Sequence, residues 1–145
     1  MFCLAEPTGI GAPYFKTDLG LIFSGSIEQL TQKQIAVLLL EAIIFRVARI
    51  LEDFHQQYPI NKVILSGGLS YLSCLQQGIA NCCQLEVHSL LQKESTLLGI
   101  GMLASGMSFN VHRKTELIQI TTQNLALIEK YYFWKIWLER MLLSD

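Results

Sequence analysis

Gly67 and Gly68 close the run Val63-Ile64-Leu65-Ser66, and a helix-like segment begins just beyond them. A β-branched and aliphatic run that stops at two glycines reads as a strand entering a tight turn. In open α/β sheets ligands sit outside the carboxyl ends of such strands. Glycine accepts positive φ and leaves no Cβ between a flat ligand and the backbone, so Gly67 and Gly68 are the candidate ligand contacts. Further along, Glu94-Ser95-Thr96-Leu97-Leu98-Gly99 places a carboxylate beside a hydroxyl. Glu94 and Thr96 could serve as an acid/base pair. They could equally open a helix, where a carboxylate suits the N-terminal dipole, and that reading needs no further partner.

The elements that must position these residues follow from local signals. Pro7, Gly9, Gly11, Pro13 and Gly20 give residues 7–20 a loop composition, and Leu21-Ile22-Phe23-Ser24 reads as a short strand. Thr31 with Gln34 forms a capping-box signature, flanked by Leu30 and Ile35 as a hydrophobic staple. The helix it opens should run to about Gln57, stopped by Tyr58-Pro59. Its polar residues Gln34, Glu41, Arg49, Glu52 and Gln56 fall on one narrow stripe, as in a helix packed between layers with a solvated edge. Glu41 with Arg46 and Arg49 could line a site, but the solvated stripe is the simpler reading.

A strand over 62–66, a helix over about 70–80, a strand over 85–90 and a helix over about 95–105 come next. Ser95 is the expected N-cap of the last of these and Gly106 its stop. Gly99 and Gly101 lie inside that helix at a cost of about 1 kcal/mol each, which suggests close packing against another backbone. Residues 117–120 form a possible minor strand. Thr121 or Thr122 would cap a final helix to about Leu143, whose Tyr131, Tyr132, Phe133, Trp134 and Trp137 read as core rather than as a stacking surface. The order helix–strand–helix–strand–helix predicts α/β layers with a small, largely parallel sheet.

Bulk properties exclude several classes. The 145-residue chain carries a net charge of -1, with Arg113-Lys114 its longest basic cluster, which gives no electrostatic case for nucleic acid. It is 51% hydrophobic and 16% charged, against about 25% charged for ordinary domains. Either nearly everything is core, or some surface is meant to be covered. The most apolar window, 35–45, contains Glu41 and is followed by Arg46 and Arg49, too short and too charged for a spanning helix of roughly 20 residues. Residues 1–7 lack the basic-then-apolar pattern of a secretory leader. Cys3, Cys74, Cys82 and Cys83 form no zinc-type pair and are expected as reduced thiols in the cytoplasm, and His55, His88 and His112 are isolated, so no metal site is expected.

Four motifs then fall in the order of one family. Gly9-Ile10-Gly11-Ala12-Pro13-Tyr14-Phe15 resembles the Gly-Leu-Gly-Ala-Pro-Tyr-Trp segment of glycerol kinase. The helix around Leu39-Leu40-Glu41-Ala42-Ile43 is similar to its long helix. Ser66-Gly67-Gly68 is similar to its Asp-Gly-Gly adenine-site turn, and the stretch from Glu94 to Ala104 resembles its Glu-x-Thr-Ala-Leu-Gly-Ala-Ala-x-Leu-Ala helix. A Tyr/Trp/Lys pattern at 131–135 extends the likeness toward the C-terminus. On these residues the chain resembles the FGGY carbohydrate kinases, closest to glycerol kinase, of the actin-like ATPase superfamily.

The resemblance implies a three-layer, actin-like (ribonuclease H-like) C-terminal subdomain spanning residues 1–145, the latter part of a kinase's second domain. The family binds ATP with Mg²⁺ between two such domains. The resemblance implies that the first domain, its phosphate-gripping hairpin and the catalytic aspartate are not in this stretch. Such a fragment of an ATP-dependent polyol or sugar kinase would be inactive alone and would bind no cofactor tightly. The nucleotide contacts carried over are Gly67 and Gly68. The family's asparagine aligns with Leu72, its aspartate with Ser66 and an arginine near Leu19, so several polar contacts are replaced. Two alternatives stay open: a stand-alone interaction protein on the kinase scaffold, or one half of a split kinase. The expected partners are a second copy of the chain or the missing N-terminal kinase part, with no nucleic acid and no membrane.

Overall fold

The computed structural model describes residues 1–17, 19–83, 85–91, 94–106 and 114–143. The chain opens on an antiparallel pair, β1 (Cys3–Glu6) and β2 (Gly20–Phe23), in the register Cys3↔Phe23 to Glu6↔Gly20. β2 falls where the sequence indicates; β1 does not announce itself, because its only ladder is with a partner across the intervening loop. That loop folds back through a bridge between Ile10 and Lys16. Gly9 sits at φ +98, and a Cβ there would stand 2.6 Å from the Lys16 carbonyl oxygen, so only glycine lets the two backbones meet.

The long helix α1 (Gln32–Gln57) begins as its sequence dictates. The Gln34 amide donates to Thr31 Oγ1 at 3.3 Å, and the Thr31 amide donates to Gln34 Oε1 at 2.9 Å. It ends on the extended Tyr58, immediately before Pro59. The polar stripe of α1 is solvated at its ends, where Gln34 and Gln56 are exposed, but ion-paired in its middle. Glu41 pairs with Lys130, and Glu52 with Lys135 at 2.9 Å. Arg46 is buried, bonded to Glu6 at 2.9 Å and to the Ala12 carbonyl; Arg49 donates to Tyr14 Oη at 3.2 Å and pairs with Asp53. The two arginines therefore hold the 7–17 loop in place, because each guanidinium can satisfy several oxygens at once.

β3 (Lys62–Leu65), a single 3₁₀ turn (Gly68–Tyr71), α2 (Ser73–Cys82) and β4 (Glu86–Leu90) form a crossover unit with β3 and β4 parallel. β5 (Thr115–Leu117) joins β4 antiparallel, so the three-stranded sheet is mixed and its parallel part is the β3–β4 pair. α3 (Ser95–Ser105) follows β4, and α4 (Leu125–Leu143) ends the described chain.

Two caps differ from expectation. Glu94 occupies the α3 N-cap position, with Ser95 already inside the helix, because the first bond of α3 runs from the Leu98 amide to the Glu94 carbonyl. At α4 the cap is Asn124, whose Oδ1 accepts from the Leu127 amide at 3.0 Å. Thr121 is instead bound to Gln77 of α2.

The core lies where α1, α2, α4 and the sheet meet. Phe45, Trp134, Leu138, Ile79, Val87 and Leu4 are each almost wholly buried, worth roughly 1.5–3 kcal/mol per large side chain. Trp134 packs 5.7 Å from Phe45 between ring centroids and donates its indole N–H to the Cys3 carbonyl at 2.9 Å. The core reading of Tyr131 and Trp134 holds, while Tyr132 and Phe133 face outward. The packing role expected of Gly99 and Gly101 belongs to Gly78: among the described residues beyond their own helix backbone and chain neighbours, no heavy atom lies within 4 Å of a Cβ at either of the former, whereas at Gly78 one would meet Ile44 Cδ1 at 2.3 Å. α3 has no buried residue.

Candidate functional site

β3 and β4 run parallel, so the segments leaving their carboxyl ends open on the same side of the sheet. The first carries Gly67 and Gly68; the second leads to Glu94 and the start of α3. The two sequence motifs meet there: Gly67, Gly68, Tyr71, Glu94, Ser95 and Thr96 line one cleft of about 420 Å³. That is within the usual range for small-molecule pockets, about 300–1,000 Å³.

Gly67 adopts φ +94, which L side chains rarely reach, and turns the chain out of β3 into the 3₁₀ turn. Gly68 needs no such φ, and among the described residues beyond its chain neighbours no heavy atom lies within 4 Å of the place its Cβ would occupy. A flat group can therefore approach the backbone there. The turn is fixed from behind. Buried Ser70 donates through Oγ to the Gly67 carbonyl at 2.6 Å, and Gln76 Nε2 donates to the Ser70 carbonyl at 2.7 Å, with Ser89 Oγ of β4 at 3.5 Å. Each such bond contributes about 1 kcal/mol. Sequence reading missed Ser70, Gln76 and Tyr71; the available signal was a small hydroxyl three residues after the first glycine, at a turn.

The described residues lining the cleft include one carboxylate, Glu94, and no Lys, Arg or His. No proton-transfer pair is assembled around Glu94 and Thr96, which open the helix. Leu72, at the place of the family's asparagine, is 42% exposed at the N-cap of α2, where no side-chain bond is made, and it does not line the cleft. Leu19 packs against the core.

Elsewhere, burial above all, then neighbouring Cys83, pushes the Cys82 thiol up to about 12, which removes it as a nucleophile. Among the described residues no three His, Cys, Asp or Glu side chains gather where they could hold a metal ion, and no helix is long and apolar enough to cross a membrane. Among the described residues no set of side chains fits a resident Mg²⁺.

The sequence model of the C-terminal domain of the FGGY family of carbohydrate kinases matches residues 1–107. The chain belongs to this family. The matched stretch contains both walls of the cleft. A protein of Archaeoglobus fulgidus named as an uncharacterized sugar kinase is 28% identical over 144 residues, covering 96% of this chain. The chain spans 29% of that relative's length. For an FGGY kinase, this mixed α/β unit with small sheets is the actin-like, ribonuclease H-like C-terminal subdomain.

Proposed function

We propose that this chain is the nucleotide-facing C-terminal part of an ATP-dependent sugar or polyol kinase, with a glycerol-like acceptor, and that it transfers no phosphoryl group by itself. The observation that carries the reading is the meeting of the Gly67-Gly68 turn and the Glu94–Thr96 helix start across one cleft, at the carboxyl ends of two parallel strands. With no basic side chain among its described lining residues, the cleft suits the nucleoside end of ATP rather than its phosphates. Phosphoryl transfer rests on positioning and on electrostatic stabilisation of the phosphates. Those groups, the Mg²⁺ site and the acceptor site belong, in this proposal, to the preceding kinase part, a domain organisation in which residues 1–145 complete the second actin-like domain. We place the assembly in the cytoplasm, in keeping with four free cysteines.

The test is a coupled assay with glycerol and common pentoses. The isolated chain should give no turnover above a no-protein control, and mixing or co-expression with the preceding part of a family kinase should restore it. Turnover that co-purifies with the chain alone and is lost in Gly68→Trp would overturn the proposal. A second reading, an interaction protein on the same scaffold, draws its support from α3: Leu97, Leu98, Ile100 and Leu103 are all exposed.

A further inference from the structure

We infer that a cavity between α1, α4 and the end of α2 is a second binding site, suited to a small aliphatic α-amino acid in its dipolar form. It shares no described lining residue with the Gly67-Gly68 cleft, and it stands independently of the kinase reading.

The cavity has a volume of about 340 Å³, within the usual range for small-molecule sites. Leu85, which lines it, directly precedes β4, so the cavity lies at the amino end of that strand and the cleft at its carboxyl end. One wall carries an ion pair. Lys135 Nζ donates to both carboxylate oxygens of Glu52, at 2.9 and 3.0 Å, and the two side chains stay 27% and 28% exposed. Arg49 lies 3.9 Å from Glu52 but is itself held by Asp53.

With His55 neutral, the described lining therefore has one negative charge, one positive charge and no net charge. A simple anion entering there meets Glu52, and a simple cation meets Lys135. A dipolar ion can set its ammonium against Glu52 and its carboxylate against Lys135. Partly exposed ion pairs add little stability, so exchanging the internal pair for two pairs with a ligand is easy.

The rest of the lining suits an aliphatic side chain. Leu51 and Leu85 are half-buried, and Cys82 and Cys83 are buried. Burial above all pushes both thiols up, so they stay protonated and act as small apolar groups. Tyr131 adds a polar demand: it is 3% exposed, the Lys135 ammonium sits 4.7 Å from its ring centroid, and its hydroxyl has no hydrogen-bond partner among the described residues. Buried donors seldom go unpaired. A carboxylate drawn to Lys135 brings an acceptor to that hydroxyl, directly or through one water.

The experiment is amide-resolved NMR titration of the full 145-residue chain with L-leucine at millimolar concentration. Isocaproate, which lacks the ammonium, and isoamylamine, which lacks the carboxylate, are the controls. Leucine should shift the amides of Leu51, Glu52, Cys82 and Leu85 and leave Gly67 and Gly68 in place. Each control should bind roughly tenfold more weakly or worse. Glu52→Gln and Lys135→Met, which keep the shape of each side chain, should each lose roughly tenfold for leucine, with far-UV circular dichroism checking the fold. Leu85→Trp should fill the cavity and abolish binding.

Isocaproate or isoamylamine binding as well as leucine overturns the inference, because one charge then suffices. So does leucine binding that survives both Glu52→Gln and Lys135→Met. Wild type without shifts at these amides, or with shifts only around Gly67 and Gly68, removes the site. If either charge variant unfolds, the two controls on wild type still decide.

Discussion

A methyl group on Gly78 would stand 2.3 Å from Ile44 Cδ1, 2.9 Å from Cγ1 and 3.2 Å from Cγ2. Ile44 is β-branched inside α1, so it has essentially one χ1 to occupy and cannot swing aside. Gly78→Ala should therefore cost about 1–3 kcal/mol despite the better helix propensity of alanine. In an Ile44→Val background the nearest carbon is gone, and the two changes should couple favourably by about 1 kcal/mol in urea unfolding; strict additivity would mean that α1 and α2 can move apart. Titration belongs to this scale too. Burial pushes the Cys3 thiol from 9.0 up to about 11 and the Cys82 thiol up to about 12. The folded state then holds protons that the unfolded chain releases, so this stability is intact below about pH 9 and is lost as pH climbs toward 12. Chemical unfolding along that range should show the decline, and Cys82→Ala should flatten it.

Among the elements, α2 starts poorly. Leu72 has the extended φ and ψ of an N-cap but no oxygen to offer. Leu72→Asn should raise stability by about 0.5–2 kcal/mol, read as a higher Tm, because asparagine can accept from an orphan amide of the first turn. An unchanged Tm would show that solvent already satisfies those amides. The contrast with α1 explains what a single sequence reveals. Thr31 and Gln34 lie three residues apart and cap each other, so their signal is local; so is the run from β3 into Gly67. β1, the Arg46–Glu6 pair, the Asn124 cap in place of Thr121 and the close approach at Gly78 each depend on a partner far along the chain. Periodicity within one segment carries no information about them. The cleft was half legible for the same reason: its two glycines advertise themselves, whereas Tyr71 and Ser70 matter only because β4 ends beside them.

At the scale of the whole molecule, composition and packing agree. A chain with 16% charged residues leaves α3 with no buried residue and with Leu97 64% and Leu103 69% exposed. Exposed apolar patches of this kind mark interaction sites or aggregation liabilities, and among the described residues β3 is an edge strand. Without a kinase partner the chain should self-associate at micromolar concentration, burying more than about 1,000 Å². Sedimentation equilibrium should report a dimer or larger, and Leu97→Lys with Leu103→Lys should shift it toward 16.4 kDa. A clean wild-type monomer that binds no apolar dye would show that this surface seals itself.

The match to the family's domain model ends at residue 107, yet the most deeply buried ring among the described residues arrives after it. Trp134 has no exposed surface and is tied to the first strand. The domain model and the folded core thus draw different borders around the same unit. A recombination joint placed at residue 107 would pass on the Gly67-Gly68 turn with a hole where the indole belongs. A crossover that exchanges this unit between kinases therefore has to move the last helix together with the first strand.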